Sequence, residues 1–160
     1  MVVAPRVVEP LSPTGVILAI DYGRKRLGLA LSDASGAISQ PFATWNRTNR
    51  RRDLARLREL VKQRGVRRIV VGLPLHLDGT PSEMSQEATG FATRVEKAIG
   101  VRVEMVDERL TSWEAGQSVP RSRRSPIFPR KRKTTLDDLA AAAILRDYLN
   151  RERAQIGTRG

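Results

Sequence analysis

The sequence predicts one α/β domain with a five-stranded mixed sheet flanked by helices, and three observations support this prediction. Two apolar runs, Val16–Ile20 and Leu27–Ser32, are separated by too few residues for a helix, so the strands that they predict must pair antiparallel. Beyond Trp45, helix-like and strand-like segments alternate along the chain. A chain of 160 residues, 40% of them hydrophobic, is long enough for one domain with a substantial core.

An antiparallel meander is expected at the start of this domain. The strand Leu27–Ser32 is followed by a turn at Asp33–Gly36 and then by a third strand at Ala37–Trp45. Pro41 lies inside the third strand and has no N–H to donate to a neighbouring strand. We therefore expect the third strand at an edge of the sheet.

Helices and strands are predicted to alternate after the meander. Leucines at helical spacing indicate a first helix that ends at Gly65. Thr80–Glu83 has the pattern of a capping box, with Pro81 as the first helical residue of a second helix. The apolar segments Arg68–Val71 and Val101–Val106 predict the fourth and fifth strands.

Two more helices complete the predicted domain. A short helix is expected to begin in Thr111–Glu114, and Thr134 or Thr135 is expected to cap the last helix. The order βββαβαβαα is the ribonuclease H-like arrangement, and we assign this domain to residues 16–152. The remaining residues are expected to form flexible tails, at 1–15 and 153–160.

Composition excludes several classes of protein. The absence of cysteine rules out a disulfide scaffold, a Cys-based zinc site and a Cys nucleophile, and it is consistent with the reducing cytoplasm. His76 is the single histidine, so a Ser-His-Asp triad would depend on that residue, which is expected in a loop. No apolar stretch approaches the roughly 18 residues that span a bilayer, so we expect a cytoplasmic protein without a membrane partner.

The net charge of +12 predicts a polyanionic partner, and nucleic acid is the default partner for a small basic protein. Ten bases lie in Arg47–Arg68 and seven in Arg121–Lys133, which is expected to be an exposed loop. Binding through these segments would depend strongly on salt. Aromatic residues make up only 4% of the chain, which gives little material for a base-stacking platform. The alternative is a basic surface that has no specific polyanion.

Acidic side chains occur where they could meet at one edge of the sheet. Asp21 follows the first strand, Asp107 and Glu108 follow the strand Val101–Val106, and Asp137 lies in the first turn of the last helix. Clustered carboxylates repel one another unless cations neutralise them, and oxygen-only ligation favours Mg²⁺ or Mn²⁺. Two such ions could activate a water and stabilise the leaving oxygen of a phosphodiester.

Each acidic residue also has a simpler interpretation. Asp137 at a helix start interacts favourably with the helix dipole whatever its other role, and the pair Asp107 and Glu108 could be only a polar strand end. Asp21 is the hardest to explain in this way, because a carboxylate closing an apolar strand is costly without a partner or a function.

Four ordered motifs, spread over residues 16–149, resemble those of the YqgF/RuvX family. They are Asp21–Gly28 with the following Leu29–Asp33, Val71–Leu75 with Asp78–Thr80, Asp107–Ser112, and Lys131–Lys133 ahead of Asp137. The resemblance implies a ribonuclease H-like nuclease, described for this family either as a Holliday-junction resolvase or as the enzyme that matures the 5′ end of pre-16S ribosomal RNA.

The resemblance also implies residue roles. Asp21, Glu108 and Asp137 would be catalytic and would bind metal, with Asp107 as a further candidate ligand. Glu108 is favoured over Asp107 as the direct ligand, although the sequence does not fix which side chain faces the cleft. Lys25, Arg26, Arg109 and Thr111 match residues of the family motifs and would bind the substrate. Arg130, Lys131 and Lys133 of the basic loop are expected to bind it through their charge.

Four functions remain to be distinguished at this point. The first expectation is a metal-dependent nuclease acting on pre-16S ribosomal RNA, which can work as a monomer. Resolution of four-way DNA junctions is the close alternative, and it calls for a symmetric homodimer because two opposed strands are cut. A non-catalytic nucleic-acid-binding protein on a nuclease scaffold is the third. An actin-like phosphotransferase is the fourth, and it would need two such domains.

Overall fold

The computed structural model describes residues 15–108 and 136–157, in which five strands and three long helices are defined. The elements, in chain order, are β1 (Val16–Tyr22), β2 (Arg26–Ser32), β3 (Ser39–Asn46), α1 (Arg50–Arg64), β4 (Val66–Leu73), α2 (Glu83–Ile99), β5 (Arg102–Asp107) and α3 (Leu136–Gly157). No helix in these ranges combines the length and the apolar character needed to cross a bilayer.

The five strands form one mixed sheet in the order β3-β2-β1-β4-β5. β1, β2 and β3 pair antiparallel, whereas β4 lies parallel to both β1 and β5. This confirms the predicted fold class and the predicted meander. Pro41 lies on β3, an edge strand as predicted, beside a break in the register between Leu29 and Ala30 of β2.

The helices cover the two faces of the sheet unequally. On one face, Leu18 and Ile20 of β1 pack in a buried core with Leu57 of α1 and Phe91 of α2. On the other face, Ala19 packs against α3. Because side chains alternate along a strand, Asp21 lies on the same face as Ala19 and is directed toward α3.

Two helix boundaries differ from the prediction. The N-cap of α2 is Ser82, whose hydroxyl accepts from the Ser85 amide at 3.0 Å while the Ser85 hydroxyl accepts from the Ser82 amide at 2.8 Å. Thr80 is instead bonded to Asp78, so the capping box starts two residues later than predicted. α3 continues past Glu152 to Gly157, and Arg153 in this extension donates to the Ala37 carbonyl in the turn between β2 and β3.

Other predicted boundaries hold to within a few residues. Gly65 ends α1 in the left-handed conformation, with φ of 63°, which an L-residue adopts only at a cost. Asp53 is buried at the start of α1 and accepts from the Thr48 amide at 3.2 Å, which ties the segment before the helix to its first turn. The predicted N-terminal tail through residue 14, the short helix at Thr111–Glu114, the basic loop and the caps Thr134 and Thr135 lie outside the described residues.

Candidate active site

Asp21 lies near the carboxyl end of β1, inside the strand rather than after it. The strand was predicted to end at Ile20, but it runs to Tyr22, and Asp21 pairs with Gly28 of β2. A Cβ on Gly28 would approach the Asp137 Cβ to 3.0 Å and would overlap the Asp137 backbone carbonyl. The missing side chain at Gly28 is therefore what allows the first turn of α3 to lie directly on the sheet beside Asp21.

A second glycine makes room for Glu108. Gly72 of β4 pairs with Val106 of β5. A Cβ on Gly72 would overlap the Glu108 carboxylate and would lie 2.7 Å from Ile144 of α3. The fourth strand was predicted to end at Val71, before Gly72, whereas the structure places Gly72 inside β4, which runs to Leu73. A glycine at the end of an apolar strand is the sequence signal that points to such a close approach.

Asp21 and Glu108 form a hydrogen-bonded pair of carboxyl groups. The pKa of Glu108 is raised to about 8, chiefly by burial, then by the charge and hydrogen bond of Asp21 and by the charge of Asp107. The pKa of Asp21 is raised by burial and by the charge of Asp137, an effect that the hydrogen bond to Glu108 opposes. Two carboxyl groups can share a hydrogen bond only when a proton lies between them, so the pair holds one proton without a cation nearby.

One oxygen of this pair has no partner. Glu108 Oε1 is buried and accepts no hydrogen bond from any residue in the described ranges. A buried carboxylate oxygen without a donor is costly, and such exceptions call for an explanation such as an ion. A divalent cation would replace the shared proton and supply the positive charge that this oxygen lacks.

Asp137, in the first turn of α3, completes the acidic cluster. Its Oδ2 lies 3.2 Å from Arg26 Nε, and the two side chains are 34% and 61% exposed. Arg26, implied by the resemblance to contact a phosphate, serves here as the counter-ion of a candidate metal ligand. An ion pair this exposed is weak, so a cation or a phosphate can displace it at little cost.

The acidic side chains are gathered but do not form a preassembled metal site. Among residues 15–108 and 136–157, no three His, Cys, Asp or Glu side chains are arranged so that they could hold a metal ion. Asp21 and Glu108 turn toward each other, while Asp137 turns toward Arg26. The donor set still fits a hard divalent cation, since it consists of carboxylate oxygens, one of them unpartnered.

Of the remaining predicted site residues, two lie within the described ranges and the others lie outside them. Asp107 ends β5 opposite Leu73 of β4, and its charge acts on Glu108. Lys25 lies exposed at the tip of the hairpin between β1 and β2. The residues outside the described ranges are Arg109, Thr111, Arg130, Lys131 and Lys133.

Comparison with known proteins yields a consistent set of matches. Residues 15–151 match the sequence profile of the RuvX family, which is described as a Holliday junction resolvase. A relative from Koribacter versatilis strain Ellin345, named as a candidate pre-16S rRNA nuclease, is 43% identical over 143 residues, which cover 89% of this chain and 92% of the relative. A relative of the same name from Chloroflexus aurantiacus is 41% identical over 139 residues, covering 87% and 89% of the two chains.

Solved structures show the same fold. RuvC of T. thermophilus in complex with a Holliday junction substrate superposes with a TM-score of 0.60 at 16% identity, covering 90% of this chain and 97% of RuvC. A second T. thermophilus RuvC structure gives a TM-score of 0.58 at the same identity, 16%, over 89% and 97% of the two chains. At this identity the likeness concerns the fold, which is ribonuclease H-like as predicted.

Proposed function

The chain belongs to the RuvX family and is a nuclease on a ribonuclease H-like fold, and we propose that it processes the 5′ end of pre-16S ribosomal RNA. Divalent cations, Mg²⁺ or Mn²⁺, would be held by Asp21, Glu108 and Asp137, with Asp107 close by. The substrate is proposed from the names of the relatives from Koribacter and Chloroflexus, which span nearly the whole of this chain. Processing of ribosomal RNA would place the protein in the cytoplasm.

The observation that carries this proposal is the buried Asp21–Glu108 pair. Its shared proton and the unpartnered Glu108 Oε1 mark a position where positive charge is missing. A bound Mg²⁺ or Mn²⁺ would supply that charge, polarise a phosphodiester and lower the pKa of a water. Gly28 and Gly72 keep the acidic residues close together, because a side chain at either position would push α3 or Glu108 away.

Basic residues beside the cluster provide the affinity for the substrate. Arg26 is within reach of the cluster through its ion pair with Asp137. A phosphate arriving at the cluster would compete for this guanidinium and would release Asp137 toward the cation. Arg26 thus exchanges one anionic partner for another, and this links substrate binding to completion of the metal site.

A second candidate function is favoured by one observation, the description of the RuvX profile as a Holliday junction resolvase. In that case the substrate is a four-way DNA junction and the active form is a homodimer. The acidic cluster and its chemistry are common to both candidates, so only the substrate and the assembly distinguish them.

The proposal is tested by cutting two labelled substrates side by side: a 5′-extended pre-16S RNA and a four-way DNA junction, each with Mg²⁺, with Mn²⁺ and with EDTA. The wild type is expected to cut the RNA at its mature 5′ end, and Asp21→Asn to lose about 100-fold or more in rate. Asp33→Asn is the matched control, because Asp33 only organises the exposed β2–β3 turn through bonds to Ala37 and Ile38.

The outcomes separate the candidates. Paired, symmetric nicks in the DNA junction without cutting of the RNA would replace the proposed function by junction resolution. Equal activity of Asp21→Asn and Asp33→Asn on both substrates would remove Asp21 from the active site. Binding of RNA without metal-dependent cutting of either substrate would identify a non-catalytic RNA-binding protein.

A further inference from the structure

A cleft of about 470 Å³ lies beside the hairpin that joins β1 to β2 and beside the start of α1. Four basic side chains line the cleft, namely Arg24, Lys25, Arg47 and Arg50. Thr48, Asn49 and Asp53 complete its lining. The cleft is separate from the acidic cluster, which lies on the α3 side of the sheet. The cleft lies on the other side of the sheet, because its lining residue Arg47 stacks on the rings of Tyr22 and Phe91, and Phe91 belongs to α2, which covers that face.

Two of the four bases are fixed parts of the wall. Arg47 Nε lies 3.3 Å from Asp53 Oδ2, and Arg47 Nη1 donates to the Gly23 carbonyl at 3.1 Å. Arg24 Nη2 lies 2.8 Å from Glu87 Oε1 of α2. These pairs neutralise the charges of Arg24 and Arg47, and they hold the hairpin against α1 and α2.

The other two bases leave the cleft positively charged. In the described part of the chain, neither the Lys25 ammonium nor the Arg50 guanidinium has a carboxylate within ion-pair distance, and both residues are exposed. At the helix start, the Asn49 side chain already accepts from the Arg52 amide at 2.9 Å. A ligand in the cleft would therefore be an anion bound mainly by Lys25 and Arg50.

The hairpin connects this cleft to the acidic cluster. Asp21 precedes the hairpin on β1, and Arg26, the residue after Lys25, pairs with Asp137. A nucleic-acid strand cut at the cluster and crossing the hairpin would bring a neighbouring phosphate toward Lys25 and Arg50. We infer that the cleft lined by Lys25 and Arg50 binds a backbone phosphate that flanks the cut phosphodiester, an inference that rests on the proposed nuclease function.

The test measures binding without cutting, in the Asp21→Asn background. The variant Lys25→Ala/Arg50→Ala is compared with Lys62→Ala/Arg67→Ala, which removes the same charge from exposed positions at the far end of α1 and the start of β4. RNA and DNA strands of equal sequence are titrated at several salt concentrations. At low salt, the Lys25→Ala/Arg50→Ala variant is expected to bind RNA and DNA about tenfold more weakly than the Lys62→Ala/Arg67→Ala control. The slope of log K against log salt, which is negative, is expected to become shallower by about 1 to 2.

A second measurement locates the phosphate. Neutral methylphosphonate linkages are placed one at a time in a DNA strand. A neutral linkage at one flanking position is expected to weaken binding of the strand by the Asp21→Asn protein. The same linkage should have no effect when Lys25→Ala/Arg50→Ala is added, because the interaction with that phosphate is then already lost. Equal salt slopes for the two double variants, or an unchanged methylphosphonate profile, would overturn the inference.

The failure of this inference is distinguishable from failure of the proposed function. If the wild type cuts neither RNA nor DNA while the cleft variant still binds more weakly than its control, the nuclease proposal fails and the cleft remains a phosphate site. If the wild type cuts RNA and the two double variants bind alike, only the cleft assignment fails. Loss of binding to RNA but not to DNA would show contacts to the 2′-hydroxyl rather than to a phosphate.

Discussion

The acidic pair makes the stability of the metal-free protein depend on pH. The pKa of Glu108 is raised from its ordinary 4.5 to about 8 in the folded state, so between these values the folded protein holds a proton that the unfolded chain releases. Raising the pH through this interval therefore favours unfolding.

We predict that the free energy of unfolding in EDTA falls between about pH 4.5 and pH 8, by at most about 1.4 kcal/mol per pH unit for one proton. Asp21→Asn removes one charge and one partner of Glu108, so it should reduce this fall. Saturating Mg²⁺ should also reduce it, since a bound cation stabilises the ionised pair. Urea unfolding at a series of pH values measures all three, and a stability that is flat across the interval in EDTA would contradict the prediction.

The two glycines of the site act through the absence of a side chain. Gly28→Ala should lower cleavage by at least about tenfold and cost about 1–3 kcal/mol of stability, because the new Cβ overlaps the Asp137 backbone, which moves only with α3. Gly90→Ala is the matched control. Gly90 lies within α2, where the nearest atom to a new Cβ is Arg94 Nη1 at 3.4 Å, so alanine should stabilise the helix by about 0.5–1 kcal/mol.

Thermal unfolding and RNA cleavage, measured on both variants, check this prediction. If Gly28→Ala retained full activity, the first turn of α3 would not need to contact the sheet for catalysis. A parallel loss in Gly90→Ala would indicate a general effect of adding a methyl group rather than an effect on the site.

At the scale of elements, the sequence predicted the order of the described strands and helices because each carries a local signal. Gly65 marks a helix end and Pro41 marks an edge strand, and both act through their own backbone geometry. The start of α2 was placed too early because Thr80 and Ser82 are both good caps. The choice depends on Asp78, which engages Thr80, and on the Pro74 carbonyl, which accepts from the Ser82 hydroxyl at 2.5 Å.

The corrected helix start yields a prediction on stability. Ser82→Ala should cost about 1 kcal/mol, because the Ser85 amide at the start of α2 loses its acceptor. Thr80→Ala should cost about 0.5 kcal/mol or less, since its bond to Asp78 is exposed and lies before the helix. Chemical denaturation of both variants decides between the two caps, and a larger loss in Thr80→Ala would restore the start at Thr80.

At the scale of the whole molecule, the meeting of the acidic residues could be predicted in outline but not in its contacts. Parallel pairing of β1, β4 and β5 brings Asp21 and Glu108 to one edge, which strand order alone suggests. The shared proton depends on burial beneath α3, and the Arg26–Asp137 pair depends on how α3 lies across Gly28. These contacts join distant parts of the chain, so no local pattern in the sequence encodes them.

Whether the molecule acts alone or as a symmetric pair can be decided with mixed active sites. Asp21→Asn should still fold and bind nucleic acid, so it can be mixed with the wild type in known ratios. For RNA cut by monomers, activity should fall only in proportion to the binding sites that the variant occupies. Paired cutting of a DNA junction needs two active subunits. An excess of the variant would therefore turn paired cuts into single nicks. Single nicks that increase with the share of the variant would identify a dimeric resolvase. A loss of RNA cutting in proportion to that share supports a monomeric processing nuclease.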